Sequence, residues 1–150
     1  MQPQVLPIIM RFLHNLFTAL WIGGLLSMVL TVIPGIRKKL EQPWPVIESI
    51  QNRLRPLAII SIVGLAITGM LLGRSSQQFT GFVHFGTPYM NALSIKHILT
   101  LVMIVLAIAR LMVNKKLQTE KSAKLQKASY AILLTNTVLG VIVLFLSSMI

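Results

Sequence analysis

The chain has 150 residues, of which 55% are hydrophobic and 11% charged, with a mean hydropathy of +0.78. A soluble domain carries about a quarter charged residues, so an ordinary water-soluble globule is excluded, as is a disordered chain, which needs low hydrophobicity and high charge. Fourteen Lys and Arg stand against three Glu, a formal net charge of +11, and cysteine is absent. That absence removes disulfides, Cys-ligated zinc, iron–sulfur clusters and thiol nucleophiles.

Four apolar stretches follow one another along the chain. The first, 8–33, stops at Pro34–Gly35 and carries Arg11, His14 and Asn15 near its start. It reads as a true span rather than a cleavable signal peptide. The apolar run is too long, its start lacks a basic cluster, and no small-residue cleavage pattern precedes Pro34. Beyond it, Pro43-Trp44-Pro45 precedes Val46, Ile47, Ile50 and Leu54 at helical spacing. This predicts a short interfacial helix over 46–54 with Trp44 at the headgroup level. The second stretch, 56–73, opens on Pro56, a residue suited to a first helical turn. The third covers 92–113 and the fourth 128–150.

Crossing about 30 Å of hydrocarbon takes about 20 helical residues, and backbone groups in lipid must be satisfied within their own segment. The expectation is an all-α polytopic membrane protein, an antiparallel four-transmembrane-helix bundle in a single membrane domain over 1–150.

The cations set the expected orientation. Arg37, Lys38, Lys39, Arg53 and Arg55 lie between spans one and two; Lys115, Lys116, Lys121, Lys124 and Lys127 lie between spans three and four. By the positive-inside rule both connections are cytoplasmic, in a cytoplasmic (inner) membrane, and both termini lie outside with the segment Ser75–Tyr89. The net charge is then a topology label facing anionic headgroups, and nucleic acid is not an expected partner.

A few polar residues stand where a span should be apolar. His14 lies about 9 Å below the outer boundary of span one, and Lys96 and His97 about 6–8 Å into span three, at 1.5 Å per residue. Ionisable residues within a membrane are functional hypotheses by default. Two imidazoles at one depth on different helices suit a shared ligand, although a histidine that only bonds a neighbouring hydroxyl or carbonyl is the plain alternative.

No carboxylate lies in any span, so a closed zinc site, which wants about four ligands, has no donor set. Haem iron needs two axial ligands from the protein and apolar walls. With no Cys-x-x-Cys-His, such a haem would be non-covalent haem b. Gly23, Gly24, Gly64, Gly69 and Gly140 permit close approach of a helix or a flat cofactor, close helix packing being the commoner cause. Trp21 lies about two turns below His14 on the same face. Its indole N–H needs a partner when buried, and Asn136 of span four, at the same depth, is the expected acceptor.

The run His14-Asn-Leu-Phe-Thr-Ala-Leu-Trp21-Ile-Gly-Gly24, followed by Pro34, resembles the opening span of CopD-type membrane proteins. Arg53-Leu-Arg-Pro-Leu-Ala with Thr68-Gly69 resembles the second span of that family. Thr87-Pro-Tyr-Met-Asn-Ala-Leu-Ser-Ile-Lys96, continuing to Ala109-Arg110, resembles the third, and Asn136 with Gly140 the last.

This resemblance implies two directions. CopD proteins are associated with copper uptake or resistance. A related membrane family, the HemJ protoporphyrinogen oxidases, is similar in its His-to-Trp spacing and third-span Lys and is associated with haem b. Its proposed axial His and Lys fall on His14 and Lys96. His97, beside the Lys, leaves the second ligand open. The two side chains point about 100° apart, and a Lys ligates iron only as the neutral amine, whereas it could instead snorkel to the headgroups or meet a haem propionate. The chemistry therefore favours His14 with His97, and the resemblance favours Lys96.

The first expectation is a membrane b-type haem protein in electron transfer or redox catalysis, with a quinone or redox protein as partner. A copper-handling protein is the second. Met10, Met28, Met70, Met90, Met103 and Met112 are scattered through apolar runs and fit packing, with no Met-x-x-Met or His-Met cluster. His84, in the outer loop near Phe82 and Phe85, is a candidate entry ligand, a plain surface histidine being the commoner case. A non-catalytic subunit of a larger membrane complex is the third. Hydrolytic chemistry has no paired carboxylate, Gly-x-Ser-x-Gly or phosphate loop to support it. General acid–base work would fall to His14, His84, Tyr89, Lys96 or His97.

Overall fold

The computed structural model describes residues 5–75 and 86–149; His84, Phe82 and Phe85 lie outside them. The described residues are all-helical, with no strand. Four helices are long and apolar enough to cross a membrane: Val5–Lys39, Trp44–Arg74, Met90–Thr119 and Ala123–Ser148. The chain divides into two compact units, Met1–Thr80 and Gly81–Ile150, each a pair of packed helices.

In the first unit, α1 (Val5–Ser27) passes through a π-helical turn at Met28–Val32 into α2 (Ile33–Lys39). The span therefore runs past Pro34–Gly35, where the sequence predicts a stop. Proline has no N–H for the carbonyl of Leu30, and its ring crowds that carbonyl. Widening the turn relieves the crowding without breaking the helix, and the Ile33 N–H reaches back five residues to the Met28 carbonyl. Arg37, Lys38 and Lys39 occupy the last turn, where cations complement the helix dipole. Leu40 then turns extended.

The return helix, α3 (Trp44–Ser75), is unbroken across Pro56. The segment 46–54, expected as a separate interfacial helix, forms its opening turns. Pro56 is exposed, so the Asn52 carbonyl that loses its donor can be solvated.

The second unit pairs α4 (Pro88–Thr119) with α5 (Ala123–Ser148). Thr87 caps α4, its hydroxyl oxygen accepting from the Met90 N–H at 3.2 Å, and Pro88 at the first helical position has no N–H to leave orphaned. Only Glu120, Lys121 and Ser122 separate the two helices, so α4 and α5 are antiparallel neighbours. The Lys116–Glu120 pair at 3.8 Å is exposed on both sides and adds little.

Burial differs from that of a soluble bundle: Trp21, Met103 and Leu133 are buried, but polar residues are buried beside them and many large apolar ones are exposed. Ser61 and Thr68 are buried in the first unit, and Ser94, Asn114, Ser129, Asn136 and Thr137 in the second, while Phe12, Leu101, Val105 and Phe145 are exposed. Water would not tolerate so much exposed apolar surface, whereas lipid tails are as apolar as leucine. Helices in lipid associate through small residues and interhelical hydrogen bonds. Both devices are present. A Cβ on Gly64 of α3 would overlap the Phe17 ring of α1, so glycine is what lets these helices approach. In the second unit the Ser129 hydroxyl of α5 donates to Asn114 Oδ1 of α4 at 2.6 Å, fully buried.

Candidate functional site

The most organised polar site lies in the first unit. Thr68 on α3 is 3% exposed, and its Oγ1 lies 2.9 Å from His14 Nδ1 on α1 and 2.7 Å from the Gly64 carbonyl oxygen. A hydroxyl has one hydrogen and two lone pairs. If that hydrogen went to the imidazole, the hydroxyl and carbonyl oxygens would face each other with no proton between them. It therefore goes to Gly64, and His14 Nδ1 donates to Thr68. The ring is thereby held with a hydrogen on Nδ1, facing Thr68. The other polar group nearby is also satisfied, since the Thr18 hydroxyl donates to the His14 carbonyl at 2.8 Å.

Gly69 completes the seat. A Cβ there would lie 3.4 Å from His14 Cε1, so the backbone of α3 passes close beside the ring. The pairs His14–Thr68 and Phe17–Gly64 fix α1 and α3 as antiparallel, and the same register sets Trp21 level with Ser61, both buried. By contrast, Cβ atoms on Gly23 and Gly24 would meet nothing within 4 Å among the described residues. Gly64 and Gly69 are thus packed against α1, and Gly140 is buried on α5.

Lys96 and His97 lie in the other unit, half-buried on α4. The Lys96 carbonyl accepts the Thr100 hydroxyl at 2.8 Å. Asn136 on α5 is 2% exposed, and its Oδ1 makes no hydrogen bond among the described residues. Among the described residues no group of three or more His, Asp or Glu is placed to hold a metal ion.

Sequence reasoning assigned no role to Thr68 or Arg110. Thr68 is the partner that fixes His14, and no local signal identifies it, because the two are 54 positions apart. Arg110 on α4 buries its Nε and Nη2 with no hydrogen-bond partner among the described residues, an intramembrane cation hidden by its closeness to the basic end of the span.

The fold thus defines an all-α multi-pass membrane protein with a held imidazole in one helical hairpin. The family described as CopD, copper resistance protein D, matches residues 48–150, more than two thirds of the chain. The chain belongs to the CopD family. The match takes in Thr68-Gly69, Lys96, Arg110 and Asn136, and begins after the span that carries His14, Trp21 and Gly24. No curated protein matches the chain, and no solved structure does.

Proposed function

We propose that this chain handles copper at the membrane, in uptake or resistance, with copper as cargo and His14 as its first protein contact. The observation that carries the reading is the His14–Thr68 bond, in a chain of the copper resistance protein D family. A histidine that binds metal through one nitrogen usually donates from the other to a neighbouring oxygen, which fixes tautomer and ring direction. His14 has that arrangement before any metal arrives. Imidazole suits copper, and no carboxylate lies in the apolar stretches 8–33, 56–73, 92–113 and 128–150.

In this reading the basic connections face the cytoplasm of an inner membrane, both termini lie outside, and His14 sits toward the outer side, where copper would enter. Copper accumulation by cells expressing the full chain tests it. His14→Ala is expected to abolish the copper-dependent phenotype while the protein still inserts; full retention of the phenotype refutes the role.

A second reading keeps haem b, with His14 and His97, or Lys96, as axial ligands, and a quinone, a redox protein or a larger membrane complex as partner. The fixed Nδ1–H favours it as well, since an axial imidazole needs the same orientation, and haem asks for only two protein ligands where no cluster of three is present. Bound haem would supply one-electron chemistry. Pyridine haemochrome analysis of protein expressed with ample haem separates the readings: a stoichiometric signal lost in His14→Ala favours haem, and no signal leaves copper.

A further inference from the structure

We infer that Arg110 and Asn136 form a site in the seam between α4 and α5 for an oxyanion that keeps one hydrogen, a hydrogen phosphate or a phosphomonoester. The inference is independent of the copper reading and concerns the second hairpin alone.

The Ser129–Asn114 bond pins the register of that hairpin. Arg110 stands one turn from Asn114, away from the connection, on the face of α4 that carries the buried Met103, Asn114 and Leu117. Asn136 belongs to the buried face of α5, with Ser129, Leu133 and Thr137, and α5 packs on α4. Counted from the bonded pair, Leu133 comes level with Arg110, and Asn136 lies three residues further, about 4.5 Å at 1.5 Å per residue. Helical side chains lean toward the N-terminus of their own helix. In antiparallel neighbours the leans are opposed, so Arg110 reaches away from the connection, Asn136 reaches back toward it, and the two heads converge.

The polar atoms brought there have no use within the hairpin. Nε and Nη2 of Arg110 and Oδ1 of Asn136 are buried, and none makes a hydrogen bond among the described residues. The only carboxylate side chain of this unit, Glu120, lies ten residues from Arg110, about 15 Å along the helix, and pairs with Lys116. A buried guanidinium without a counter-charge is costly, and a buried amide oxygen without a donor adds to the cost. One ligand answers both. Nε and Nη2 form the edge of the guanidinium whose two N–H groups match a pair of phosphate or carboxylate oxygens. Asn136 Oδ1 can only accept, so the ligand must also bring a hydrogen. An ionised carboxylate has none, whereas hydrogen phosphate offers oxygens to the fork and an O–H to the amide.

Access lies at the connection. Arg110 as a whole is half-buried and sits three residues inside the end of the apolar stretch 92–113. Beyond that end Lys115, Lys121, Lys124 and Lys127 are exposed, a basic field that concentrates anions. Inorganic phosphate and the phosphomonoester headgroup of phosphatidic acid offer the same chemistry, and the experiment separates them.

Full-length protein in phosphatidylcholine nanodiscs is titrated with inorganic phosphate or, at matched ionic strength, with sulfate, which carries no hydrogen at neutral pH. The same protein is also placed in discs containing phosphatidic acid. Binding should raise the unfolding midpoint saturably. A rise with phosphate identifies the free ion, a rise with phosphatidic acid but not phosphate identifies the headgroup, and a rise with neither overturns the site. Arg110→Lys keeps the charge and loses the fork; it should weaken the response at least about tenfold, the scale of one hydrogen bond to a charged group. Asn136→Leu should erase the preference for phosphate over sulfate. Asn136→Asp supplies the counter-charge from within the chain, so it should raise the midpoint and abolish the response, yet lower the midpoint in an Arg110→Gln background. Equal effects of Asn136→Asp in the two backgrounds would show that the side chains do not meet, and would overturn the pairing.

Discussion

In the first hairpin the bond between helices joins an imidazole to a threonine hydroxyl near the open end, where α1 begins. In the second it joins a serine hydroxyl to an asparagine carbonyl close to the short turn between α4 and α5. The physical device is the same, a polar contact in an apolar medium. Near a turn the chain already holds the helices together, and the Ser129–Asn114 bond sets which residues face each other. At an open end the bond must hold a side chain in place without help from the connection, and the side chain held is an imidazole, whose second nitrogen carries chemistry of its own.

The contrast can be broken most forcefully at the helix contact itself. Gly64→Ala places a methyl group on the Phe17 ring, and overpacking of this kind costs about 1–3 kcal/mol. Denaturation of the detergent-solubilised protein should show the loss, together with weaker copper binding as α1 and α3 separate at the level of His14. Gly24→Ala, which meets nothing within 4 Å among the described residues, is the matched control and should change neither.

A smaller effect is expected from Ser129→Ala, which removes the donor to Asn114 Oδ1. Interhelical hydrogen bonds in membrane proteins contribute about 0.6 kcal/mol on average, so the unfolding midpoint should fall modestly and copper binding should not move. A change in metal affinity would show that the second bond is more than a register pin.

Thr68→Val, which also removes one interhelical hydrogen bond, should change stability by a similar amount, about 0.6 kcal/mol. Its larger effect should appear in metal affinity, weakened about 10–100-fold as for other groups that orient a metal ligand. Thr68→Ser should restore it. If Thr68→Val lowers stability and leaves affinity intact, the His14 bond is packing of the Ser129–Asn114 kind and the contrast between the hairpins disappears.

Much of the fold was legible in the sequence because hydrocarbon thickness imposes a length that apolar runs report directly. The third span shows how far this goes: residues 92–113 lie inside a helix that extends from Pro88 to Thr119, its ends hidden because they are polar and outside the apolar window. Pro34 shows where it fails. Proline reads as a stop, yet a π-helical turn absorbs it, since a single wide turn costs less than exposing several backbone groups in lipid.

The sequence by itself determined that this is a membrane protein of four helices, and singled out His14, Lys96 and His97 as polar exceptions, because the bilayer penalises charge and polarity residue by residue. Only the tertiary structure decided what His14 is. Whether Nδ1 carries a hydrogen depends on how Thr68, on the returning helix, divides one hydrogen between an imidazole and the Gly64 carbonyl. Such a choice depends on ångström-scale distances between helices, which no periodicity along one chain can encode.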